Sequence, residues 1–193
     1  MKIAWKKLSV AEIAAAICSH LASRGFNAVL TGGACVSIYS NNVYESSDLD
    51  FVMPEYALDE VDAALSEIGF QRKKHWRHYV NPECPYYVEF PTPPLAVGSE
   101  LIKQTDTMKT GQGILKIISP TDSVKDRLAA FYHWRDKQSL EQAILVAEMQ
   151  KVDFNEIKRW SEVEMSLDKY KIFRSEYKKR TRKKTVRHNA KAL

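Results

Sequence analysis

Apolar residues recur at helical intervals near the start of the chain, where Ile13, Ala16, Ile17 and Leu21 share one face with His20. Ser9 stands at an N-cap position, Glu12 three residues later completes a capping box, and Gly25 stops the run, so a helix is predicted over residues 9–24. The period then shortens. Residues 26–31, FNAVLT, predict a buried strand that ends at Gly32-Gly33, and a small-residue helix follows from Ala34 to about Ser40. The next strand, DLDFVM, runs from Asp48 to Met53 and is ended by Pro54. Residues 56–68 predict a helix closed by Gly69. Helix, strand, helix, strand, helix is the order of a core in which both element types share one interior.

Residues 70–80, FQRKKHWRHYV, alternate as one strand with polar faces, and YYVEF at 86–90 is a further strand. Pro91, Pro93 and Pro94 mark an edge or exit from the sheet. After a loop with Gly111 and Gly113, ILKII at 114–118 predicts another strand. Ser119-Pro120-Thr121-Asp122 opens a helix over 123–134 that carries Val124, Leu128 and Phe131 on one face. Helices are also predicted over 138–149 and 153–163, and Ser166 is placed to cap a last one. The expected fold is α+β with an α/β-like mixed sheet, divided into a core (1–118), a helical region packed on it (119–170) and a basic C-terminal arm (171–193).

With 193 residues, 45% of them hydrophobic, the chain supports one core of roughly 100–150 residues plus an appendage. Cys18, Cys35 and Cys84 are odd in number and lack metal spacing, which fits a reducing, cytoplasmic setting. No window nears the roughly 20 apolar residues of a membrane span, and polar residues interrupt the Ala-rich N-terminus as in an amphipathic helix rather than a signal peptide. Charge is unevenly spread. Residues 171–193 hold ten Lys or Arg against Glu176, which leaves 19 basic and 23 acidic residues from the chain's totals of 29 and 24 in the remainder. A mildly acidic body thus carries a cationic end, the usual partner of phosphate.

Asp48 and Asp50, at i and i+2 on a strand, project from one face while Leu49 points inward. Like charges so close are tolerated when a cation lies between them, and hard oxygen donors select magnesium or manganese. Gly32-Gly33, between a strand and a helix, lets backbone approach a phosphate at a helix N-terminus, although a tight turn accounts equally well for the pair. In sequence order a phosphate grip is followed by Ser46-Ser47-Asp48-Leu49-Asp50, a metal grip suited to the same triphosphate.

The stretch GGACVSIYSNNVYESSDLDFV resembles the signature of the DNA polymerase β-like nucleotidyltransferase superfamily: a Gly-Gly or Gly-Ser turn, a helix, then a strand of h-D-h-D-h character. Its longer spacing looks more like the small prokaryotic members, including toxin nucleotidyltransferases of abortive-infection systems. The resemblance covers roughly residues 10–95. It implies a nucleotidyltransferase core, a third carboxylate at Glu89 in Tyr87-Val88-Glu89-Phe90, and metal held by Asp48, Asp50 and Glu89 as the catalytic set. The implied activity is transfer of NMP from an NTP to an acceptor hydroxyl, in a toxin–antitoxin setting with a partner protein; the basic arm and RKKHWRH point to RNA, or tRNA, as the acceptor, with a protein or small-molecule hydroxyl left open. Nucleotide contacts are expected at Gly32, Gly33 and Ser47, and at Lys125 and Arg127, which also read as a charged helix surface. Nucleic-acid contacts are expected at Lys74 and Arg77, and in the arm at Lys178, Lys179, Arg180, Arg182, Lys183 and Lys184. The rival reading is a noncatalytic nucleotide- or RNA-binding module, regulatory or antitoxin in role, that keeps the fold.

Overall fold

In a computed structural model the described residues are 3–53, 58–73 and 78–189, with side chains described through residue 182 except at residue 58. The chain divides into two units, Met1–Ser119 and Pro120–Leu193.

The first unit is a mixed α+β structure, the class the sequence predicts. After a 3-10 turn at Trp5–Lys7 come α1 (Val10–Ser23), β1 (Val29–Thr31), α2 (Gly32–Tyr39), β2 (Asp48–Val52), α3 (Leu58–Glu67), β3 (Gln71–Arg72), β4 (His78–Val80) and β5 (Tyr87–Glu89). The strands β6 (Ala96–Val97), β7 (Glu100–Leu101), β8 (Asp106–Thr110) and β9 (Gly113–Ile117) complete it. Helix α1 begins as predicted: the Ser9 hydroxyl accepts from Glu12 N–H at 3.3 Å and Glu12 accepts from Ser9 N–H at 2.9 Å. Those contacts hold the Glu12 carboxyl below its usual range, the Ser9 backbone bond first.

Seven strands form one sheet in the order β3-β4-β5-β2-β1-β9-β8. Strand β2 lies near its centre, antiparallel to β1 and parallel to β5. Leu30, Leu49, Phe51 and Val88 are fully buried, and α2 packs against β1 and β2 while α1 packs on β8 and β9. His20 Nε2 donates to Ala64 O at 2.8 Å, which ties α1 to α3.

Two sequence expectations change. Residues 70–80 do not make one strand: β3 and β4 pair antiparallel, with Gln71 opposite Val80, Arg72 opposite Tyr79, and Lys73 N–H donating to His78 O at 2.9 Å. Backbone pairing between the two halves outweighs the period-2 pattern that ran through both. Strand β8, Asp106–Thr110, is the other surprise, since it is a mostly exposed edge strand without apolar alternation.

The second unit holds α4 (Pro120–Trp134), α5 (Lys137–Met149), α6 (Phe154–Val163) and α7 (Leu167–Asn189). Pro120 takes the first helical position, where its missing N–H leaves no bond unmade. Asp136 and Asp153 cap α5 and α6. The core of the unit includes Tyr132 stacked on Trp160 at 5.5 Å and a fully buried Phe173. Burial pushes the Tyr132 hydroxyl's pKa upward even though it shares a 2.8 Å bond with Ser161. Helix α7 runs unbroken through the start of the expected arm, with Phe173 and Tyr177 both against Phe154. No helix among the described residues is long and apolar enough to cross a membrane.

Candidate active site

Strand alternation places Asp48 and Asp50 on one face of β2, with buried Leu49 and Phe51 on the other. In the parallel ladder Asp48 lies opposite Tyr87 and Asp50 opposite Glu89; in-register neighbours on strands about 4.8 Å apart share a face. Thr31 flanks Asp50 on the far side, and His78 flanks Glu89. One row across the sheet therefore reads Thr31, Asp50, Glu89, His78, with Asp48 and Tyr87 one step along. His78 Nε2 contacts Glu89 Oε1, and its ring lies 4.8 Å from that of Tyr87, tilted by 30°. Sequence reading missed Tyr87 and His78 as neighbours of the acids, because the β2–β5 pairing brings the first there and the β4–β5 pairing the second.

Both glycines are explained by side chains from the other side of the site. Gly32 has φ +69°, a left-handed conformation, and a Cβ there would overlap Asp50 Oδ2. At Gly33 the conformation suits any residue, but a Cβ would stand 2.8 Å from Ser46 Oγ and 3.4 Å from Tyr44 Oη. Thr31, the N-cap of α2, makes no side-chain capping bond; its hydroxyl donates instead to Asp50 O at 3.3 Å. The N-terminus of α2 thus abuts the Asp50 carboxylate. Ser46, buried, donates from Oγ to Asp48 Oδ1 at 2.5 Å, and its own N–H donates to Ser37 Oγ of α2 at 2.9 Å.

Ser47, expected at the nucleotide, is exposed, and its carbonyl accepts Tyr87 N–H at 3.4 Å as the lead-in to the β2–β5 ladder. The buried serine beside the acids is Ser46. Counting back by twos from Asp50 through Asp48 is the signal that finds it.

The remaining expected residues belong to the second unit or lie outside the description. Lys125 is buried, with Nζ 3.0 Å from Asp122 and 3.1 Å from Glu156, and Arg127 pairs with Asp126 at 2.5 Å. Glu156 is held down to about 2 by its bonds to Arg159 and then by Lys125. Lys179 pairs with Glu176 at 2.7 Å; Arg180 reaches Glu141 at 2.7 Å and Glu148 at 3.3 Å. Lys178 and Arg182 are exposed. Lys74 and Arg77, and the side chains of Lys183 and Lys184, lie outside the described residues.

The donor chemistry of Asp48 and Asp50 suits a hard cation, and the room beside them depends on a glycine. Glu89 is at present engaged by His78 and Asp48 by Ser46. Among the described residues no three His, Cys, Asp or Glu side chains converge as a ready metal cluster.

The sequence matches no family model and no curated protein. Among solved structures, the fold is similar to a solution structure of the antibiotic-resistance factor ANT(2'')-Ia, with 12% identity, 99% of this chain and 100% of that chain covered, and a TM-score of 0.48. It is also similar to a crystal structure of ANT(2")-Ia in complex with adenylyl-2"-tobramycin, with 12% identity, 86% and 94% coverage and a TM-score of 0.45.

Proposed function

We propose that the chain is a metal-dependent nucleotidyltransferase that moves NMP from an NTP to an acceptor hydroxyl. The observation behind this reading is the carboxylate row itself: Asp48, Asp50 and Glu89 share one sheet face, and Gly32 at the N-terminus of α2 is cut back to make room for Asp50. Asp48 and Asp50 would hold magnesium or manganese, and Glu89 would join them by turning from His78. A bound cation supplies positive charge against the triphosphate and the departing pyrophosphate. The protein's own part is positional. Strand β2 fixes the spacing of Asp48 and Asp50, while the α2 N-terminus brings N–H groups and a partial positive charge up to the same carboxylates, where a triphosphate oxygen is best received. Lys125 and Arg127, already matched by acids, have no part in this reading.

RNA is the acceptor class we favour. Lys171, Lys178 and Arg182 are exposed at i, i+7 and i+11 along α7, one cationic side of a helix. A partner toxin or antitoxin protein belongs to the same proposal.

The test is incubation with magnesium, labelled ATP, GTP, CTP or UTP, and either total RNA or a small amino-sugar such as tobramycin. Label on RNA supports the full reading; label only on the amino-sugar keeps the chemistry and changes the acceptor. Neither product, with no pyrophosphate released, overturns it. The engagement of Glu89 by His78 favours the second reading, a noncatalytic binding module. Such a module binds RNA or nucleotide equally well without magnesium.

A further inference from the structure

We infer that Ser46 is a positioning residue of this site, setting the Asp48 carboxylate through its hydroxyl, and that Gly33 is glycine in order to admit that hydroxyl. The inference rests on the proposed nucleotidyl transfer and assigns a role to two residues within it.

Ser46 is held from both ends. Its N–H donates to Ser37 Oγ at 2.9 Å, and Ser37 in turn donates to Gly33 O at 3.4 Å, so the lead-in to β2 is pinned to α2. With the backbone fixed, Oγ donates to Asp48 Oδ1 at 2.5 Å, the short bond typical of a hydroxyl on a carboxylate. That bond selects one carboxylate rotamer and leaves Oδ2 for another partner.

The second half is steric. Gly33 has an ordinary backbone conformation, so nothing in its dihedrals requires glycine. Space does: a Cβ would sit 2.8 Å from Ser46 Oγ, inside contact distance, but 3.5 Å from Ser46 Cβ and 3.4 Å from Tyr44 Oη, both ordinary contacts. Once Oγ is gone, position 33 accepts a side chain. Gly33 and Ser46 are therefore coupled through a single atom.

A double-mutant cycle on the full chain tests this, using Gly33→Ala, Ser46→Ala and the pair, with calorimetric binding of magnesium and whichever of ATP, GTP, CTP and UTP the wild type binds best. Ser46→Ala should weaken magnesium-dependent binding about tenfold, the scale of a hydrogen bond to a charged group. Gly33→Ala should weaken it similarly by displacing the hydroxyl, yet cost less than twofold more when added to Ser46→Ala. Gly33→Ser in the Ser46→Ala background returns a hydroxyl from the other wall and should recover part of the loss. Additive losses, or a Ser46→Ala protein that binds as the wild type does, overturn the inference. So does a parallel loss of magnesium-free nucleotide binding and of melting temperature, which is the mark of a purely structural role. A wild type without magnesium-dependent binding defeats the proposed function itself, and that is seen before any variant is made.

Discussion

Asp50 on β2 and Glu89 on β5 face each other directly in a parallel ladder, two acids on adjacent strands with His78 on the far side of Glu89. Like charges placed so cost stability unless something offsets them. Here the offset is an imidazole on one side and, in the proposed reading, a cation on the other.

Asp50→Asn should abolish nucleotidyl transfer while metal-free stability holds or rises by up to about 1 kcal/mol, since one of two facing charges is removed. Thermal melting with and without magnesium plus NTP checks it: the wild type should gain in melting temperature on addition and the variant should not. Near wild-type transfer by Asp50→Asn would remove the basis for the metal site.

His78→Phe keeps a ring against Tyr87 but drops the Nε2 contact with Glu89. Without metal the protein should lose roughly 0.5–1 kcal/mol as Glu89 loses its contact with His78. Magnesium should restore more stability to this variant than to the wild type, because Glu89 is released toward the cation. Equal magnesium responses would place Glu89 outside the metal set.

Gly32→Ala and Gly25→Ala form a controlled pair. Both positions have positive φ, +69° and +88°, but a Cβ at Gly25 meets nothing within 4 Å whereas at Gly32 it overlaps Asp50. Each should cost about 1–2 kcal/mol from backbone strain. Only Gly32→Ala should also lose magnesium-dependent NTP binding; a matching loss in Gly25→Ala would trace the effect to general destabilisation.

The helical unit has an acid-sensitive contact. Glu156, brought down from 4.5 to about 2 by Arg159 and Lys125, stabilises the folded state above its unfolded pKa, and that contribution disappears as pH falls from about 4.5 through about 2. Urea unfolding of wild type and Glu156→Gln should differ at pH 7 and converge near pH 2. A gap that widens in acid contradicts the assignment.

For the acceptor, deleting residues 178–193 is a poor probe, because it takes Arg180 from Glu141 and from the buried Glu148. Neutralising exposed Lys171, Lys178 and Arg182 to Gln leaves those pairs intact. If RNA lies along this side, the slope of log affinity against log salt should fall in magnitude by roughly 2–3, with NTP binding unchanged. An unchanged slope removes α7 from the acceptor surface.

Where local chemistry decided the structure, sequence could be read closely. The Ser9–Glu12 capping box is complete within four residues, and the shared face of Asp48 and Asp50 follows from period two alone. Long-range pairing was not legible. Nothing local says that Arg72 turns to pair with Tyr79, or that His78 then stands beside Glu89. Edge strand β8 lacked the apolar alternation that marks a strand. The contact of Ser46 with Asp48 was not singled out either, since Ser46 and Ser47 are adjacent serines ahead of Asp48 and only packing against α2 sets Ser46 apart.

The parallel pairing of β2 with β5 also has a consequence in time. Parallel neighbours cannot be joined by a tight turn, and here α3, β3 and β4 come between them in the chain. A growing chain that has emerged only through β2 possesses the glycines and both aspartates but not the strand that brings Glu89, so no early fragment presents the complete acid row. Contacts of this range close slowly. In the proposed reading, competence to bind magnesium should appear in refolding with closure of the β2–β5 pairing, after the α1 helix signal has already returned.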